Sequence, residues 1–145
     1  MKERILLMGP PSSGKTFQLL RVYDTLTEQG VDCHIIDLED KVEASIISQG
    51  LKLPKNFSVA TSWEEYREAV SGINLKPNNW VLVDRVDLSW PAVQRWFTQQ
   101  KYEEELADRM LKKSLEMKKS SMFIPRFDQG SWQVINEAYE STMGK

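Results

Sequence analysis

The sequence predicts an α/β fold: a three-layer domain with a parallel sheet of about four strands, then a largely helical last third. Three observations predict it. Short apolar runs of strand length recur at Ile5-Leu6-Leu7-Met8, Cys33–Leu38, Phe57–Ala60 and Trp80-Val81-Leu82-Val83. Segments with apolar residues at helical spacing lie between them, the pattern of strands joined by crossover helices. Beyond position 84 the helical spacing persists and no run reads clearly as a strand.

Taken in order, the first strand is expected at Arg4–Met8 and the first helix at Gly14–Glu28, with Leu19, Leu20, Tyr23 and Leu26 on its apolar side and Gly30 as its stop. The second strand is Cys33–Leu38. A short helix follows at Lys41–Gln49, closed by Gly50, and Pro54 marks a loop before the third strand at Phe57–Ala60. Ser62-Trp63-Glu64-Glu65 reads as a capping box, with Ser62 opening a helix that runs to Val70 and Glu65 reaching back. A turn containing Pro77 leads to the fourth strand, which ends in Asp84. Ser89 then caps a helix with Pro91 in its first turn. Trp90, Val93, Trp96 and Phe97 give that helix an apolar face, which Leu106, Met110, Leu111 and Leu115 continue after a bend near Gln100. Pro125 interrupts the pattern, and Ser131–Thr142 forms the last helix.

With 145 residues, 41% of them apolar, the chain is long enough for one domain with a real core. The expected organisation is a single domain over 1–145, with an α/β core at 1–88 and a helical extension at 89–145. A net charge of −2 excludes polyanion binding by the chain as a whole, so any nucleic-acid contact is local. The single cysteine, Cys33, has no internal disulfide partner and reads as strand filler. The lone His34 reads as a strand side chain, because no second histidine shares a metal with it. No run approaches membrane-spanning length and no leader pattern precedes the first strand, so no membrane partner and a cytoplasmic location are expected.

Gly9-Pro10-Pro11-Ser12-Ser13-Gly14-Lys15-Thr16 matches G-x-x-x-x-G-K-[ST], the phosphate-binding loop, between an apolar run and a helix. The glycines allow backbone conformations closed to other residues, so loop N–H groups can turn inward around an anion. The helix start adds its positive end. Lys15 is placed to reach the β- and γ-phosphates and Thr16 to ligate Mg²⁺. A bare strand-to-helix turn does not explain Lys and Thr directly after Gly14. Asp84, after four apolar residues, sits where a Walker B aspartate holds the metal. The alternative is a strand-terminal Asp in a turn. Arg85 occupies the position where many ATPases carry a catalytic Glu, and it cannot serve as a base. Glu39, just past the second strand, is the candidate base; the alternative is a solvated acidic loop.

These residues carry a resemblance. The segment from Val31 to Trp90 is similar to the first half of a RecA-like ATPase core, a P-loop NTPase fold. Ile36-Asp37-Leu38-Glu39 resembles the Ile-Asp-Ala-Glu stretch of RecA proteins, whose Glu polarises the attacking water. The resemblance gives Glu39 that role beside Lys15 and Asp84, and implies ATP, Mg²⁺ and a homo-oligomer. Trp90-Pro91-Ala92-Val93-Gln94-Arg95-Trp96-Phe97 and Ser131-Trp132-Gln133-Val134-Ile135-Asn136 resemble segments of phage-encoded P-loop ATPases. This implies a phage origin, the host cytoplasm, and ATP hydrolysis coupled to DNA recombination, replication or strand handling. RecA-like cores place a further strand between the loop strand and the Walker B strand. Two explanations stay open: the chain is the N-terminal part of a longer ATPase, or the two motif strands are adjacent, as in nucleotide kinases.

Residues 109–126 hold Arg109, Lys112, Lys113, Lys118, Lys119 and Arg126 against Glu116, with Phe123 and Phe127 near the basic end. Such a stretch suits single-stranded DNA, with Lys112, Lys113, Lys118 and Lys119 on phosphates and aromatics on bases. Its bland counterpart is a solvated helix face. Besides the ATPase, two other classes stay in view: a small nucleotide or metabolite kinase, with Arg109 and Arg126 as clamps, and a nucleotide-binding module without turnover.

Overall fold

The computed structural model describes residues 5–10, 12–74, 76–120 and 127–144, with Ser120 described by its backbone alone. Three parallel strands, β1 (Cys33–Asp37), β2 (Phe57–Val59) and β3 (Trp80–Asp84), form a sheet in the order β2-β1-β3. In the register, Ile35 lies between Phe57 and Leu82. Two residues on, Asp37 lies between Val59 and Asp84. Strand side chains alternate, so both rows face the same side of the sheet.

The helices α1 (Lys15–Glu28) and α2 (Val42–Ser48) cover that side. Leu19 and Leu20 from α1, and Val42 and Ile46 from α2, pack with Ile35, Phe57, Leu82 and Tyr23 in one apolar cluster. Full burial of an aliphatic side chain such as Ile35 is worth about 1.5–3 kcal/mol. Ile36, on the opposite face of β1, is buried as well, which explains why the central strand is apolar on both sides. At the end of α1, Gly30 takes φ +75 and the Val31 N–H returns to the Leu26 carbonyl, so the glycine stop operates as the sequence suggests.

The expected first strand differs. Arg4 lies outside the described residues, and Ile5–Met8 form no strand and stand exposed, Met8 at 84%. An apolar run becomes a strand only where neighbours take its N–H and C=O groups. Both edges of β1 are filled, and no described strand pairs with the outer edge of β3. The described sheet therefore has three strands where about four were expected.

The residues group into two compact units, 1–61 with 65–86 and 62–64 with 87–145. In the first lies most of α3 (Trp63–Gly72), where Glu65 reaches back as far as Thr61, accepting its N–H at 2.7 Å and its hydroxyl at 3.1 Å. The second unit is helical. A 3₁₀ turn (Val86–Leu88) leads into α4 (Ser89–Tyr102), which packs against α5 (Leu106–Ser120) and α6 (Gln129–Met143). Trp90 stacks on Trp132, and Tyr139 meets Trp90 edge-on; Phe127 meets both Phe97 and Trp132 edge-on. The bend expected near Gln100 is a full break at Glu103, which takes the left-handed conformation (φ 53) without being glycine. The side chain of Asp128 caps α6, accepting the Ser131 N–H at 2.8 Å. Pro125 lies outside the described residues. Among the described residues no helix is long and apolar enough to cross a membrane.

Candidate active site

The residues expected to form the phosphate loop lie where α1 begins. Gly14 takes φ +83 and accepts the first helical hydrogen bond from the Gln18 N–H at 2.9 Å. Ser12 is also left-handed, φ 61, and Ser13 N–H bonds the Pro10 carbonyl at 3.3 Å, closing a turn. A side chain at Gly9 would bring its Cβ to 2.6 Å from the Ser13 hydroxyl, which would have to rotate away. Pro11 lies outside the described residues. The α1 N-terminus has no side-chain cap and no acidic residue in its first turn, which keeps its amides available to an anion. The Lys15 ammonium folds over the loop, donating to the carbonyls of Gly9 (2.8 Å) and Pro10 (2.7 Å).

Thr16, one residue further, donates its hydroxyl to the Asp84 carboxylate at 3.1 Å. The two predicted metal ligands, 68 positions apart, are thus in contact. The register explains this: Asp84 ends β3 in the row that faces α1 and α2. Asp84 is buried, and burial pushes its carboxyl above the usual range; the Thr16 hydrogen bond opposes that shift, while the charges of Asp37 and Glu39 add to it. A group so disposed gains from a cation.

The donor set fits Mg²⁺. Two hard oxygens about 3 Å apart suit adjacent ligands of an octahedral ion with bonds of about 2.0–2.1 Å. Among the described residues no three His, Cys, Asp or Glu side chains form a metal cage. Mg²⁺ at a phosphate site needs none, because water and phosphate supply its other ligands.

Asp37, across from Asp84 in the register, has a different task. Its buried carboxylate accepts the N–H groups of Glu39 (2.9 Å), Lys41 (2.7 Å) and Val42 (2.7 Å). It thereby orders the loop after β1 and satisfies the start of α2, where Lys41 provides no side-chain cap. In the sequence Asp37 stands out only within the Ile36-Asp37-Leu38-Glu39 resemblance. Its position at a strand end before a short helix was the available signal.

Glu39 lies on that ordered loop, and two cations hold it. Lys41 reaches Oε1 at 2.6 Å and Arg85 Nη1 reaches Oε2 at 2.8 Å. The Lys41 hydrogen bond, helped by the Arg85 charge, holds the Glu39 carboxyl below the usual carboxylate range. Two positive φ values occur here, at Asp40 next to Glu39 (φ 56) and at Arg85 itself (φ 61). Left-handed backbone at a non-glycine residue costs roughly 1–3 kcal/mol and concentrates at functional sites. Arg85, expected only as a residue unable to act as a base, pairs with Glu39, a contact between loops that the local sequence does not encode.

The basic stretch is less open than its composition suggests. Arg109 is largely buried, pairs with Glu104 at 3.2 Å and lies 3.3 Å from the Tyr102 ring centroid. Lys112 pairs with the same Glu104, and Lys113 with Glu116 at 2.8 Å. Lys118 and Lys119 stand exposed in the last turn of α5. Phe127 is buried in the aromatic cluster, which removes it as a platform for bases. Phe123 and Arg126 lie outside the described residues. No protein-family model matches the chain, and no curated protein or solved structure matches it.

Proposed function

We propose that the chain binds a nucleoside triphosphate, ATP in the RecA-like reading, together with Mg²⁺, and hydrolyses it. The observation that carries this reading is the Thr16–Asp84 contact at the mouth of the phosphate loop. It joins the two residues expected to hold the metal, from positions 68 apart in the chain. The loop amides and the start of α1 would cradle the phosphates, and Lys15 would exchange the Gly9 and Pro10 carbonyls for phosphate oxygens. Thr16 and Asp84 would hold Mg²⁺, which neutralises charge on the β- and γ-oxygens. Glu39 is the candidate base for water. In this reading Ile5–Met8 joins the sheet on the β3 side as a fourth strand, because the loop it feeds already contacts the end of β3. The phage resemblance extends the proposal to DNA recombination, replication or strand handling by a homo-oligomer, with Lys118 and Lys119 the exposed cations of the basic stretch.

One observation favours a second reading. With Lys41 and Arg85 both on Glu39, the carboxylate is a weakened base, which suits a nucleotide-binding module without turnover. The kinase reading loses support, because Arg109 is already engaged by Glu104 and Tyr102. Mg²⁺-dependent ATP turnover, measured with and without single-stranded DNA, separates these readings. We expect weak turnover in the parent chain, as for the N-terminal part of a longer ATPase, loss of binding in Lys15→Ala, and binding without turnover in Glu39→Gln. Unchanged ATP affinity in Lys15→Ala would overturn the nucleotide reading. Tight binding with no turnover in the parent chain would establish the module.

A further inference from the structure

We propose that Arg85 is a γ-phosphate sensor that exchanges the Glu39 carboxylate for the terminal phosphate of a bound nucleoside triphosphate. This rests on the nucleotide reading above and names the group that distinguishes triphosphate from diphosphate. Three observations carry it. First, Arg85 directly follows Asp84, whose carboxylate contacts Thr16, so its backbone is anchored beside the start of α1. Second, its left-handed φ of 61 and that of Asp40 at 56 turn both loops so that Arg85 and Glu39 meet. The resulting ion pair is partly exposed, with side-chain exposures of 35% and 28%, and such pairs add little to stability. Left-handed backbone is unfavourable at a long side chain such as Arg85, and its placement at a weak pair points to function. Third, Lys41 holds the other oxygen of Glu39, so the carboxylate keeps its place when Arg85 leaves.

The chemistry favours the exchange. A guanidinium matches the paired oxygens of a phosphoryl group in a planar, bidentate fashion, and the terminal phosphate carries more charge than one carboxylate. Transfer of Arg85 frees Oε2 of Glu39 and removes one of the two cations that weaken it as a base. Water then attacks the γ-phosphorus, its proton passes to Oε2, and the bond to the bridging oxygen breaks with its electron pair leaving on the diphosphate. Arg85, now on the γ-oxygens, stabilises the charge that develops there. The base is thereby released only when a γ-phosphate is present.

The test compares affinities for ADP and for the β,γ-imido analogue of ATP, each with Mg²⁺, in the full chain. Arg85→Ala is expected to weaken the triphosphate analogue roughly tenfold or more while leaving ADP unchanged. Arg85→Gly permits the left-handed backbone without strain and should show the same selective loss, which keeps the test valid if the alanine variant folds poorly. Glu39→Gln, which releases Arg85 from its carboxylate, should bind the analogue at least as tightly as the parent chain. Equal losses for both nucleotides in Arg85→Gly, or no loss for either, would overturn the sensor while leaving the phosphate loop intact. If the parent chain binds neither nucleotide and Lys15→Ala changes nothing, the nucleotide reading fails and the sensor with it.

Discussion

Asp37 and Asp84 end neighbouring strands in one row of the sheet, face the same side and are both buried, yet they do opposite things. Asp37 accepts three backbone N–H groups and is spent on structure. Asp84 accepts the Thr16 hydroxyl, and burial pushes its carboxyl toward the neutral form. One carboxylate is fully provided for by the protein, and the other is placed where an external cation would improve its situation. The difference shows how to separate a structural from a functional acid at the edge of a sheet: count what the fold already gives it.

The largest expected effect is on stability at Asp37. Asp37→Ala strands three N–H groups at the start of α2, and charged hydrogen bonds of this kind are worth about 1.5–3 kcal/mol each. A loss of at least about 3 kcal/mol should appear in urea unfolding, even after the loop relaxes. Asp84→Asn should do the reverse. Its stability should equal or exceed that of the parent chain, because burial already disfavours the charge. Its Mg²⁺-dependent affinity for ATP should fall roughly 10–100-fold, with EDTA removing the difference between the two proteins. A strongly destabilised Asp84→Asn would erase the distinction between the two acids. Thr16→Val tests the partner. It leaves Asp84 without its hydroxyl donor, so it should lose about 1–2 kcal/mol as well as metal-dependent binding, and Thr16→Ser should restore both.

How much of this was legible follows the range of the interactions. The three paired strands, α1 with its Gly30 stop and α6 were readable because periodicity and capping act within a few residues. The Thr16–Asp84 pairing was readable because each motif specifies a position relative to a strand or helix end, and the sheet brings those ends together. Ile5–Met8 was expected as a strand and is not paired in the described sheet, because pairing depends on docking against a distant edge, which no local pattern encodes. The break at Glu103 was missed because a left-handed residue there carries no glycine to announce it. Arg85 on Glu39 and Arg109 on Tyr102 were out of reach, since both depend on how loops and helices are finally placed. Composition alone overstated the basic stretch because it cannot show Glu104 serving both Arg109 and Lys112.

The smallest effect comes from a third acid, which sharpens the contrast by repeating the task of Asp37 in the open. Asp128 caps α6 through the Ser131 N–H, with Lys101 3.5 Å away, and its side chain is largely exposed. The Ser131 hydrogen bonds, chiefly that of the backbone, hold its carboxyl below the usual range, and the Lys101 charge helps. A lowered folded value means that the ionised form is favoured by folding. The stabilisation is therefore complete above the unfolded value and is lost as the pH falls through the folded one. Asn caps about as well as Asp but does not titrate. The stability gap between the parent chain and Asp128→Ala should thus shrink in acid, while the gap between Asp128→Asn and Asp128→Ala stays level. Thermal unfolding of the three proteins across that pH range reads both gaps directly. Parallel curves for all three would show that Asp128 acts through packing, and that capping by a carboxylate is consequential in this chain only where it is buried, at Asp37.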